Sequence, residues 1–194
     1  MQVVVVQTGA ANTASVLSGL RRAGADPVLV SDPEAVRAAD RVVLPGVGAF
    51  GPAMARLRRS GLAQALAERA AADRPTLAIC LGFQLLFRGS EESPGVEGLG
   101  VIEGQITAFT EAVTVPQMGW NQVLPGPESK LPAGWAYFAN SYKADALPSD
   151  WIATTAVHGA CFTAAAERGA VLACQFHPEL SGEWGQGILR SWLC

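Results

Sequence analysis

Three separated groups of residues in this sequence could do chemistry together. Cys80 stands in the stretch PTLAICLGFQLLF, where an apolar strand-like run gives way to an apolar helical one. A nucleophile at such a turn is held in a tight backbone bend, small neighbours avoid clashes, and the helix N-terminus favours thiolate over thiol. Ala78 and Gly82 are the small neighbours here. VLACQFHPELSG supplies the second group, His177-Pro178-Glu179. Proline biases the preceding residue to extended backbone, and extended residues two apart project the same way, so Glu179 is expected beside the imidazole, fixing its tautomer. The third group is Pro45-Gly46-Val47-Gly48, a strand-end loop whose backbone N–H groups could face an oxyanion at the same edge of the sheet. Each group has a plain structural alternative: a buried core cysteine, a structural histidine, an ordinary turn. A cysteine at an elbow together with a histidine–carboxylate pair points instead to thiol-based acyl transfer.

Elements able to position these groups are legible in the hydrophobic pattern. Gln2 to Gln7 reads as a strand, followed by Asn12 as the cap of an amphipathic helix carrying Val16, Leu17, Leu20 and Ala23. Pro27 to Ser31 reads as a second strand, Pro33 to Ala39 as a short helix, and Arg41 to Leu44 as a third strand. Phe50 to Ala72 has a helical pattern broken near Ser60-Gly61, and Pro75 to Ile79 reads as a strand. Strands alternating with helices favour parallel pairing with helices on both faces. From Val101 onward, 101–102, 105–109, 135–138, 151–157 and 161–165 are short and strand-like, joined by Gly, Pro and Asp turns, as in added hairpins. The expected fold is α/β, an open and mostly parallel sheet flanked by helices with added antiparallel strands. With no Gly/Ser linker, repeat or low-complexity block, residues 1–194 are read as one domain.

Composition narrows the function classes. The 194 residues are 49% hydrophobic and 16% charged with a formal net charge of -3, so there is no basic excess for nucleic acid. Thr76 to Phe87, the longest nearly apolar run, is short of the roughly 20 residues needed to cross a bilayer. MQVVVVQTGA lacks the positive region of a signal peptide, so a cytoplasmic protein is expected. Cysteines 80, 161, 174 and 194 form no C-x-x-C pair, and with only two histidines no metal site is expected. Cys161 and Cys174 read as buried small hydrophobes, the arginines from Arg56 to Arg69 as a solvated helix face, and Trp135, Trp151 and Trp192 as packing residues.

Ala78-Ile79-Cys80-Leu81-Gly82-Phe83-Gln84 and Phe176-His177-Pro178-Glu179, with the glycine loop, resemble the elbow and histidine segments of the class I glutamine amidotransferases. Within that class the box Pro116-Gln117-Met118-Gly119-Trp120-Asn121 resembles the glutaminase subunits of imidazole glycerol phosphate synthase. Leu44 to Phe50, Gly9 to Asn12, Tyr137 to Tyr142 and Gln175 to Gly182 support it. The sequence departs from the family pattern at three positions: Ala78 for glycine, Asn140 for histidine, and Leu180 for a basic residue.

The resemblance implies a cofactor-free glutaminase with Cys80 as nucleophile, His177 as base and Glu179 orienting the histidine. It implies an oxyanion held by the N–H groups of Gly46, Val47, Gly48 and Leu81, and glutamine held by Gln84, Ser141 and Tyr142. Ammonia would pass to a cyclase barrel subunit in a heterodimer, in histidine biosynthesis, with Trp120 and Asn121 at the partner interface. Two alternatives stay open: a glutaminase partner of another synthase, and a docking subunit that has lost catalysis.

Overall fold

The computed structural model describes residues 1–8, 13–110 and 112–194. The Gly9 to Asn12 segment, with its expected helix cap, lies outside the described residues. Strands β1 (Gln2–Val6), β2 (Asp26–Val30), β3 (Val42–Leu44) and β4 (Thr76–Ile79) alternate with helices α1 (Thr13–Arg22), α2 (Pro33–Ala38), α3 (Phe50–Arg59) and α4 (Leu62–Ala71). After β4 come helix α5 (Leu81–Leu85), strands β5 (Phe87–Ser90), β6 (Ile102–Ala108), β7 (Gln117–Pro125), β8 (Gly134–Asn140), β9 (Tyr142–Ala144), β10 (Ile152–His158), β11 (Ala160–Arg168) and β12 (Val171–Cys174), and helix α6 (Gly182–Leu193). A 3-10 turn, Pro178–Leu180, separates β12 from α6.

One hydrogen-bonded sheet runs β2-β1-β3-β4-β12-β11-β10-β7-β8. From β2 to β12 the pairs are parallel, and from β12 to β8 they are antiparallel. Strands β5, β6 and β9 form a side branch that joins at β11. The α/β expectation holds, and the antiparallel addition is about as extensive as the parallel part.

The continuous valine run of β1 follows from burial on both faces. Val4 and Val6 belong to one core cluster, packed with Phe50, Met54 and Leu57 of α3, whereas Val3 and Val5 belong to a second, with Val16 and Leu20 of α1. A strand covered on both sides needs no polar alternation. Local chemistry sets the helix boundaries: Asp32 caps α2 by accepting from the Glu34 and Ala35 N–H groups, with Pro33 at its first position. Gly61, at φ +74°, separates α3 from α4 where the pattern breaks.

Three expectations from residue type alone are corrected. Arg69 is not on a solvated face: it is 2% exposed, and its guanidinium donates to the carbonyls of Val36, Ala39 and Pro75 at 2.7–2.9 Å. Burial and nearby Arg74 pull its pKa down to about 10, which leaves it charged at neutral pH. The Pro75 carbonyl also accepts the Val42 N–H and the Ala39 carbonyl also accepts from Arg74, so Arg69 joins a network that ties the end of α2 to the start of β4. Trp135 is exposed rather than packed, because along β8 it points away from the side on which Ala136, Phe138 and Asn140 are buried. Trp151 is buried, with Arg168 stacked 4.3 Å from its ring centroid. Cys174 is buried as expected, but Cys161 is exposed because it sits at the open start of β11 opposite Val157. Helix α6 was not anticipated, since Gly182, Gly185 and Gly187 weaken its helical signal.

Candidate active site

Cys80 occupies the turn between β4 and α5 with φ 53° and ψ -109°, a left-handed backbone that few non-glycine residues adopt. Close backbone packing holds that bend. A Cβ added to Gly82 would lie 2.1 Å from the Leu44 carbonyl oxygen, and one added to Gly46 would lie 2.8 Å from the Gly82 nitrogen. The elbow and the 46–48 loop therefore meet main chain to main chain, at the carboxyl ends of β3 and β4. Ala78, within β4, is fully buried and pairs with Leu44 and Ala173.

His177 follows the end of β12 in extended conformation, and its N–H donates to the Tyr137 carbonyl at 2.9 Å. Its Nδ1 lies 2.8 Å from Glu179 Oε1, and both side chains are about 95% removed from solvent. The expected pairing is present, but the route to it differs: Glu179 sits in the 3-10 turn rather than along an extended strand. Gly19 of α1 makes room for it, because a Cβ there would come 2.7 Å from Glu179 Cβ. Arg22 donates to the Glu179 backbone carbonyl at 3.1 Å.

The electrostatics fit a paired base. Burial lowers the His177 pKa, but hydrogen bonding with Cys80 and with Glu179, reinforced by their charges, raises it overall to about 10. At neutral pH the imidazole is thus held as imidazolium between sulfur and carboxylate. Gln175, fully buried, places Nε2 3.9 Å from the Cys80 sulfur and accepts from Gln84 Nε2 at 2.9 Å. The sequence pattern around His177 assigns Gln175 no role of its own.

Val47, Gly48, Cys80, Leu81, Gln84, Ser141, Tyr142 and His177 line a single cavity of about 410 Å³. Gly46 stands just behind: its carbonyl accepts the Leu81 N–H at 3.3 Å, so that donor is already engaged. Gln84 also donates to the Tyr142 carbonyl at 3.3 Å. Asn140 and Leu180, both departures from the family pattern, line the same cavity, and Asn140 donates to the Tyr142 carbonyl at 2.9 Å. The sequence reading missed Glu92, the one carboxylate in this lining, whose Oε2 accepts the Phe50 N–H at the start of α3. Nothing in the local pattern of Glu91-Glu92-Ser93 distinguishes it.

Trp120 and Asn121 are not in this cavity. They lie on β7 beside a smaller cleft of about 320 Å³. Trp120 is 55% exposed and meets Tyr137 edge-on, ring centroids 6.3 Å apart. Asn121 is engaged within the chain: Nδ2 donates to the Val157 carbonyl and Oδ1 accepts the Gln122 N–H. A larger cavity of about 660 Å³ lies at the far edge of the sheet between α6 and the 130–132 loop, and its lining holds neither cysteine nor histidine. Among the described residues no group of three or more His, Cys, Asp or Glu is placed to hold a metal, and no helix is long and apolar enough to cross a membrane.

The family described as Glutamine amidotransferase class-I matches residues 4–193. The chain is also 41% identical over 196 residues to the imidazole glycerol phosphate synthase subunit HisH of Symbiobacterium thermophilum, covering 98% of this chain and 92% of that one. This chain belongs to the class-I glutamine amidotransferases, in the HisH family. A further HisH-family match is the chloroplastic imidazole glycerol phosphate synthase hisHF of Arabidopsis thaliana, 44% identical over 201 residues, 98% of this chain but 34% of that longer one. Among solved structures, a crystal structure of glutamine amidotransferase superposes with a TM-score of 0.79 at 21% identity, over 98% of this chain and 96% of the other. The sheet with its cysteine elbow is thus the class-I amidotransferase fold.

Proposed function

We propose that residues 1–194 form a single glutamine amidotransferase domain, the glutaminase subunit of a cytoplasmic imidazole glycerol phosphate synthase. The observation that carries this reading is the buried His177–Glu179 pair beside a strained Cys80 elbow, in a chain similar to HisH subunits over nearly its whole length.

Cys80 Sγ attacks the side-chain carboxamide carbon of glutamine, and His177 protonates the departing nitrogen, which leaves as ammonia. The bond formed is a glutamyl thioester. Water, deprotonated by His177, then adds to the thioester carbon, and collapse returns the thiolate and releases glutamate. Glu179 holds the imidazole by its Nδ1 so that Nε2 faces the chemistry. The oxyanion is met by N–H groups of the 46–48 loop and of Leu81. The Leu81 donor becomes free when the Gly46 carbonyl turns away, an exchange of one 3.3 Å hydrogen bond for a charge-assisted one. Glu92 supplies the negative charge for the substrate's α-ammonium, while Gln84 and the Ser141-Tyr142 main chain hold the amino-acid end. No cofactor is needed for any step.

Ammonia is consumed by the cyclase barrel subunit, as the resemblance implies. Support for that partner comes from the exposed apolar face of β7 and β8 beside the cavity and from the hisHF relative, in which the matching region is about a third of one longer chain. Trp120 makes the contact, and Asn121 holds β7 against β10 beneath it. The test is an assay of the purified chain alone and with the barrel subunit and its nucleotide substrate, recording glutamate and imidazole glycerol phosphate. Stimulated glutamate release matched by product is the expected result. Stimulation only by the acceptor subunit of another synthase would overturn the assignment.

A further inference from the structure

Ser181 stands where the hydroxyl of a serine ordinarily caps the following helix. Residue types such as serine are favoured at that position because the side-chain oxygen accepts from the first free N–H groups. Ser181 makes no such bond to α6. Its Oγ instead donates to the His177 carbonyl at 2.6 Å and accepts the Tyr137 N–H at 2.9 Å. The same tyrosine accepts the His177 N–H with its own carbonyl, so both backbone groups of Tyr137 are committed to the histidine segment. Ser181 is 1% exposed, and no water can replace the hydroxyl without a cavity being opened. Gly185 enforces the seat, since a Cβ there would come 2.7 Å from Ser181 Cβ and 2.1 Å from the Pro178 carbonyl.

We infer that Ser181 is a positioning residue for His177: its hydroxyl ties the main chain of the histidine to strand β8 and so fixes where the imidazole stands relative to Cys80. The bridge matters because His177 leaves β12 before a 3-10 turn, with no regular ladder on its far side. Removing the hydroxyl leaves the buried Tyr137 N–H without a partner and the His177 carbonyl with only the Leu180 N–H, so the segment loses this tie to β8 and is free to shift. The inference rests on the proposed glutaminase chemistry. It also places the histidine one cross-strand pair from Trp120, which faces Tyr137 across β7 and β8.

The experiment compares wild type, Ser181→Ala, Ser181→Cys, Cys80→Ala and Ser129→Ala, each in complex with the barrel subunit. Ser129 is a matched control, a hydroxyl bridging Thr154 and Glu167 away from the elbow. In Ser181→Ala, kcat for glutamine hydrolysis should fall between about tenfold and a hundredfold, the scale of a small misplacement of a catalytic group, with KM within about twofold. The Tyr137 amide should exchange its hydrogen faster, and ammonia-dependent synthesis should be unchanged. Ser181→Cys, which keeps a weak donor, should fall between, and it decides the matter if the alanine variant does not fold. Ser129→Ala should lose thermal stability while keeping kcat. An inert Cys80→Ala beside a Ser181→Ala of wild-type kcat would overturn the positioning role and leave the glutaminase reading standing. Hydrolysis persisting in Cys80→Ala would overturn both.

Discussion

The two halves of the sheet solve different problems. From β2 to β12 the strands are parallel, β1, β3, β4 and β12 are buried on both faces while the edge strand β2 is not, and the ends of β3 and β4 carry the 46–48 loop and Cys80 in close backbone contact. From β12 to β8 they are antiparallel, and the outer side of β7 and β8 presents Met118, Trp120 and Trp135 at 55–68% exposure. Doubly buried strands cannot slide, so they can hold a strained elbow such as that at Cys80. A face left bare can be read by another molecule, because large apolar groups without a cover mark interaction surfaces. On the proposed function, chemistry and recognition are thus built on different halves, and His177 sits where they join.

The sharpest break in this division is Cys80→Ala. Glutamine-dependent turnover should fall on the order of 10⁴-fold or more. Synthesis from added ammonia should stay at wild-type rate, since the partner's own chemistry is untouched. Parallel assays with the two nitrogen sources measure both, and a variant that still hydrolysed glutamine would remove the nucleophile from this half.

Glu179→Gln should cost roughly ten- to a hundredfold less than Cys80→Ala, as an orienting group does beside a nucleophile. It also has a pH signature. The His177 pKa is raised from 6.5 to about 10 in the folded chain, so this stabilisation is complete below pH 6.5 and is lost as pH rises through about 10. The difference in Tm between wild type and Glu179→Gln should therefore be largest below pH 6.5 and shrink steadily toward pH 10. A difference that grew with pH would contradict an imidazolium–carboxylate pair.

A smaller effect is expected on the other half. Trp120→Ala should weaken binding of the barrel subunit by about 30-fold, or about 2 kcal/mol, with Cys80 still alkylated at wild-type rate by a glutamine-like reagent. Asn121→Ala should weaken it less, because both ends of that side chain are engaged within the chain. Equal affinity in both variants would mean that the exposed face of β7 is not what the partner reads.

The halves also differed in how plainly they could be read from the residues. The parallel half was legible nearly strand by strand, because burial on both faces writes itself as valine and leucine runs broken by caps and glycines. In the antiparallel half the pattern inverts: Gln117 is buried while Met118 and Trp120 point outward, so alternation read as core against solvent gives the wrong face. Trp135 was misjudged for the same reason. Arg69 escaped notice because a buried guanidinium satisfied by backbone carbonyls leaves no mark on periodicity. The His177–Glu179 pairing was readable through Pro178, yet the turn that achieves it was not, since a 3-10 segment of three residues has no period to detect.

The approach of Gly82 to the Leu44 carbonyl has a consequence for inheritance. Every amino acid reachable from a glycine codon by one base change carries a Cβ, and at this position that atom would stand 2.1 Å from an oxygen. The obstructing group is main chain, so no substitution at Leu44 can remove it. Position 82 is therefore closed to stepwise drift. Lineages descended from this chain can exchange the residues around the elbow, but at Gly82 they have no neighbouring sequence to pass through.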